Sequence, residues 1–137
     1  MFNKIMVPVD LEHGDTLGKA ISAAADLARA YNGQIVFVGV TAESPTPVAH
    51  NPTEYAEKLA VFAKTKGSEQ GLNIESKAVA SHDPTIDLDK TLIKAAAEVG
   101  ADVIVIASHV PHFADLLTHA HGGSIAAHAP ISVFVIR

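Results

Sequence analysis

Cysteine is absent from all 137 residues of the chain. Disulfides, thiol nucleophiles and Cys-ligated zinc are thereby excluded, and the absence fits a reducing cytoplasm. Tryptophan is also missing and aromatics amount to only 5%. The core must therefore be built from Val, Ile, Leu and many Ala, side chains that suit close packing of helices on a sheet. Basic residues are outnumbered, 10 Lys and Arg against 15 Asp and Glu, for a net charge of −5. A nucleic-acid surface usually requires a basic patch, so no nucleic-acid partner is expected. No run approaches the ~18 apolar residues of a membrane span. Residues 1–8 offer too short an apolar stretch, with no small-residue cleavage site, for a signal peptide. Enzymatic signatures are missing too. There is no G-x-S-x-G, no Walker lysine and no Ser-His-Asp order, and the adjacent His82 and Asp83 cannot orient each other as a catalytic pair would.

What is present is the pattern of a globular domain: apolar residues make up 48% and charged residues 18%. The length fits one domain with one core, residues 1–137. Short β-branched runs at 4–9, 35–40, 74–80, 103–106 and 133–136 read as strands. Steps of three and four between apolar residues predict helices at 16–31, 53–70, 87–99 and 116–129. Residues 11–16, 41–52 and 81–87 read as loops, and Gly33, Gly71 and Gly100 as helix stops. A β-α-β-α-β-α-β-α-β order at this spacing predicts an α/β fold: a five-stranded parallel sheet, doubly wound, with helices on both faces. Ligands in such folds bind at the carboxyl ends of the strands. Those ends carry Asp10, Val40 and Thr41, Ser81 and His82, and Ser108 and His109.

Three groups of residues can be read in two ways. Asp10 can hydrogen-bond a ribose or base, or cap the segment that follows. His109, His112, His119 and His121 lie within 13 residues. Such density can bind Zn²⁺ or Ni²⁺ or respond to pH, but no pair has the spacing and carboxylate of an H-E-x-x-H site, so no metal site is assigned. Asp83, Asp87 and Asp89 could serve a divalent cation. The simpler reading is a turn followed by a helix N-terminus whose dipole favours acids.

Four segments in order, K-I-M-V-P-V-D at 4–10, I-V-F-V-G-V at 35–40, G-A-D-V-I-V-I-A-S-H at 100–109 and H-A-P-I-S-V-F-V-I-R at 128–137, resemble the universal stress protein family over the whole chain. The resemblance implies a cytoplasmic regulatory module that forms a homodimer through its last strand. It also implies ATP or AMP as ligand, with Mg²⁺ alongside ATP, and allows at most slow hydrolysis of bound ATP. By the same resemblance Asp10, preceded by Pro8 and Val9, contacts adenosine, and the backbone of Val40 contacts adenine. His128 belongs to the family's H-A-P turn and is structural.

The phosphate motif departs from the family. Members carry G-x-x-G, about nine residues, then G-[S/T], so that backbone N–H groups approach phosphates at a helix N-terminus. Here Ala107 and Val110 replace the first two glycines. Aligned without a gap, the later G-S becomes His119-Ala120; shifted by four residues, it becomes Gly123-Ser124. The last helix has to reach the last strand, which favours the ungapped alignment. Gly122-Gly123 inside a helix costs about 1 kcal/mol per glycine relative to Ala, which favours the shifted one. In both, helix N–H groups with Ser108, His109 and Ser124 offer phosphate contacts. The alternative is a member without nucleotide that acts through protein contacts, because Val110 puts a side chain where a phosphate approach needs none.

Overall fold

The computed structural model describes residues 1–84, 86–107 and 121–137. Five strands form one parallel sheet: β1 (Lys4–Pro8), β2 (Gln34–Ala42), β3 (Ile74–Ser81), β4 (Val103–Ala107) and β5 (Ser132–Ile136), in the order β3-β2-β1-β4-β5. The chain starts in the middle, winds outward through β2 to β3, then crosses back and winds outward through β4 to β5. The order reverses between β1 and β4, which makes that junction the switch point of the sheet.

Alternation along the strands sorts the core into two layers. Ile5, Val7, Val9, Ile35, Phe37, Val103 and Val105 face α1 (Gly18–Tyr31) and α2 (Pro52–Gln70). Met6, Val36, Val38, Ile104 and Ile106 face α3 (Leu88–Val99) and α4 (His121–His128). The central strands are buried on both faces and so read as unbroken apolar runs. The buried stripe of α1 is Ala20, Ile21, Ala24, Ala25 and Ala28. Small side chains let that helix lie close to the sheet and compensate for the shortage of aromatics.

Local chemistry sets the helix ends. Asn51 caps α2 by accepting the Glu54 N–H at 2.8 Å, and the Glu54 carboxylate accepts the His50 N–H at 3.0 Å. Pro52 stands in the first turn, where a missing N–H costs nothing. Gly71 and Gly100 close α2 and α3 with left-handed backbones, as their positions predict. Asp83 Oδ1 accepts the Ile86 N–H at 3.3 Å, and the Asp83 carbonyl accepts the Asp87 N–H at 3.1 Å. Asp89 lies in the first turn of α3. This acidic group therefore shapes a turn and a helix start.

Two sequence expectations need correction. Residues 11–16 are not a loop; Leu11–Leu17 is a 3₁₀ helix with a kink at His13. Its start is capped by Asp10, so a short polar segment gains local hydrogen bonds that hydropathy does not register. At the end of α1 the left-handed residue is Asn32, with φ 52°, and not Gly33. Gly33 is small for another reason: a Cβ there would lie 2.4 Å from the Phe2 carbonyl oxygen. Other boundaries move by a residue or two. Of the predicted final helix, residues 116–120 lie outside the described residues. Among the described residues no helix is long and apolar enough to cross a membrane.

Candidate functional site

Pro8 opens the sheet at its switch point. β1 and β4 are in register only at Ile5↔Val103 and Met6↔Ile104. Toward β2, β1 stays in register through Pro8↔Val38, and the Val9 N–H then donates to the Val38 carbonyl at 2.8 Å. Odd-numbered residues of β1 therefore direct their backbone polar groups at β2, and even-numbered ones at β4. Pro8 is even-numbered and has no N–H, so it removes the donor that would continue the ladder to β4. β4 continues instead with β5, as far as Ala107↔Ile136. The carboxyl ends of β1 and β4 are thus not paired to each other.

Asp10 follows β1 by two residues, past the point where pairing with β4 has ended. Its Oδ1 accepts the Glu12 N–H at 3.1 Å, and its Oδ2 lies 3.2 Å from His13 Nδ1. Capping thus fixes the carboxylate in place, yet 43% of its side chain remains exposed. The carboxylate keeps lone pairs for a further donor, so the capping role and a ligand-binding role are compatible. Asp10, Glu12 and His13 bring one potential ligand atom each within 4.8 Å of one another, a mixed acidic and imidazole rim.

On the neighbouring strand, Val38 and Val40 direct their backbone groups to the same side, toward β1. The hydrogen bond from Val9 to Val38 is the one that joins β1 to β2 beyond Pro8. The N–H and C=O of Val40 lie one step further on, where β1 has already turned into the 3₁₀ helix. A donor and an acceptor are thereby placed side by side, the pairing a nucleobase edge needs.

Between them on β2 is Gly39, a residue that the sequence reading passed over. A Cβ there would lie 2.4 Å from the Tyr55 hydroxyl oxygen and 2.9 Å from its Cε1. Tyr55, in the first turn of α2, is 4% exposed. Its ring belongs to the core layer of α1 and α2, and its hydroxyl reaches the carboxyl end of β2. Burial of the phenol, with the Asp10 carboxylate nearby, pushes its pKa well above the ordinary tyrosine value. The hydroxyl therefore stays protonated and can donate as well as accept. A glycine inside a strand was the available signal, since it often marks a close approach.

The remaining predicted residues divide by segment. Ser108, His109 and His119, together with His112 and Val110, lie outside the described residues. Gly122, Gly123 and Ser124 fall in the first turn of α4, and His121 begins it. A Cβ on Gly123 would meet nothing within 4 Å, so packing does not require a glycine there. His128 ends α4, and its Nδ1 donates to the Ser124 carbonyl at 2.8 Å, a bond from the side chain back to its own helix.

The family model described as "Universal stress protein family" matches residues 1–137. A universal stress family protein from Burkholderia pseudomallei is 24% identical, with a TM-score of 0.69, over 98% of this chain and 95% of that one. The universal stress protein from Archaeoglobus fulgidus in complex with dAMP is 19% identical, TM-score 0.70, over 98% of each chain. An Arabidopsis thaliana family protein with AMP bound is 16% identical, TM-score 0.66, over 98% of this chain and 90% of that one. At these identities the solved structures establish the fold, and the family match over the full length establishes membership: the chain belongs to the universal stress protein family.

Proposed function

We propose that this protein is an adenine-nucleotide-binding regulatory module, a single domain over residues 1–137 that works in the cytoplasm as a homodimer. The observation that carries the reading is the row of groups at the switch point: the part-exposed Asp10 carboxylate beside the backbone N–H and C=O of Val40, where the pairing of β1 with β4 has ended. Relatives of the same fold hold dAMP and AMP. In this reading Pro8, Val9, Asp10 and Val40 hold the adenosine. Phosphates lie toward Ser108, His109, His119 and the first turn of α4 with Gly122, Gly123 and Ser124, where helix N–H groups favour anions. ATP and AMP are both candidate ligands, ATP with Mg²⁺.

The test is isothermal titration of nucleotide-stripped protein with ATP, ADP and AMP, with and without Mg²⁺. Saturable binding that disappears in Asp10→Ala is the expected result. A protein that melts normally yet gives no binding heat with any of the three overturns the reading and moves the assignment to a member acting through protein contacts.

A further inference from the structure

The structure assigns Tyr55 to the nucleoside end of this site: we propose that its hydroxyl hydrogen-bonds the base or ribose of the bound nucleotide. The inference rests on the nucleotide reading above and adds a residue from α2 to groups contributed by the strand ends.

Tyr55 is 4% exposed, and among the described residues its hydroxyl has no hydrogen-bond partner. Among the same residues no fully buried side-chain N or O is without one. An unbonded hydroxyl must therefore reach open space, even though its ring is sealed in the core. Burying such a group without a partner would cost about 1–3 kcal/mol, so it is oriented toward a site where water or a ligand can meet it.

Three neighbours define that site. Gly39 has no side chain and lets the hydroxyl lie on the β2 backbone directly before Val40. Asp10 is close enough for its charge to act on the phenol. Residue 55 is in the first turn of α2, and α2 begins at the carboxyl end of the sheet. Asp10 supplies only acceptors, Val40 supplies one donor and one acceptor, and a protonated phenol can do either. Together they match the mixed donors and acceptors of a nucleoside.

Two readouts on the intact protein test the inference, with AMP as the probe. Tyr55→Phe keeps the packed ring and removes only the hydroxyl. Its affinity for AMP should fall about 2- to 10-fold, the worth of one neutral hydrogen bond, with an unchanged melting temperature. The second readout uses the composition: the chain has two tyrosines and no tryptophan, so in Tyr31→Phe the emission of Tyr55 is observed alone. AMP should change that emission and should leave the emission of Tyr31 in Tyr55→Phe unchanged. If the wild type binds AMP, Asp10→Ala loses it and Tyr55→Phe binds as tightly as wild type with Tyr55 emission unmoved, this inference fails and the nucleotide reading stands. If folded wild type binds no nucleotide, both fail.

Discussion

Gly39 and Tyr55 fit each other so closely that a single methyl group would separate them. An ideal Cβ on residue 39 would lie 2.4 Å from the hydroxyl oxygen, 2.9 Å from Cε1 and 3.0 Å from Cζ. Gly39→Ala must therefore displace the ring or the strand. Overpacking of this kind costs about 1–3 kcal/mol. Tyr55→Phe removes the nearest of the three atoms and leaves the other two, so it should relieve part of that loss. Chemical denaturation of the two single variants and the double variant measures this coupling. Strict additivity would show that the ring and the glycine do not share the space described.

Asp102 fastens the two halves of the sheet where pairing is shortest. Its carboxylate accepts the Asn3 N–H at 2.8 Å and the Lys4 N–H at 3.2 Å, and its own N–H donates to the Lys4 carbonyl at 3.0 Å. Just beyond it, β1 and β4 share only two register pairs. Asp102→Ala leaves two strand-entry N–H groups without their acceptor and should destabilise the fold by about 1–2 kcal/mol in urea or thermal unfolding. A wild-type midpoint in this variant would show that water replaces the carboxylate without penalty.

Acid should weaken the start of α2 in a defined window. Glu54 accepts the His50 backbone N–H, then the His50 ring and the Lys58 ammonium, and these hold its pKa at about 2 against an ordinary 4.5. Because the folded value is lowered, the contribution is complete above pH 4.5 and is lost as pH falls toward about 2. The Glu54 side chain is 30% exposed, and solvent screening keeps the effect small. The stability difference between wild type and Glu54→Gln should narrow as pH falls through this range. Direct titration of the Glu54 carboxyl by NMR gives the same answer, and a midpoint near 4.5 would refute the capping account.

Alkali should act on Tyr55 in the opposite sense. Its folded pKa is raised, first by burial and then by Asp10. The stability it contributes is therefore complete below the ordinary tyrosine value and is lost as pH rises through the folded one. Absorbance titration of Tyr31→Phe isolates this ionisation. It should begin well above the usual tyrosine range and move down in Asp10→Asn, the smaller of the two causes. A normal midpoint would mean that the ring is not sealed.

The parts of the fold readable in the sequence are those fixed by period and punctuation. Runs such as Ile35–Val38 are apolar throughout because both faces are covered, and Gly71 and Gly100 stand where a helix needs a left-handed residue. What hydropathy hides is contact across the chain. Asn32-Gly33 looks like a single helix stop, yet Asn32 makes the turn while Gly33 yields space to the Phe2 carbonyl. Asp10 could be read from the strand end and the resemblance together. Tyr55 could not, because it stands 45 positions after Asp10 and its apolar ring conceals a polar tip. The 3₁₀ helix at Leu11–Leu17 was hidden for a related reason, since its support is a side-chain cap with no apolar period.

The proposed dimer makes a prediction of its own. β5 pairs with β4 on one side and is the last strand of the sheet on the other. Phe134 and Val135 are each 38% exposed, large apolar side chains on a strand whose outer edge pairs with no other strand among the described residues. Exposed apolar edges invite pairing with another chain. Phe134 also packs edge-on to Phe2, with ring centroids 5.9 Å apart, so changing it would disturb the monomer. Val135 has no such ring contact and is the better probe. Light scattering behind a sizing column should give twice the chain mass for wild type, and the single mass for Val135→Glu with its melting curve still cooperative. A charge placed in the middle of an apolar pairing strand is desolvated on association, at a cost of several kcal/mol, enough to separate a dimer of this size. If Val135→Glu keeps the wild-type mass, β5 is not the contact; if wild type runs as a monomer, the proposed dimer fails.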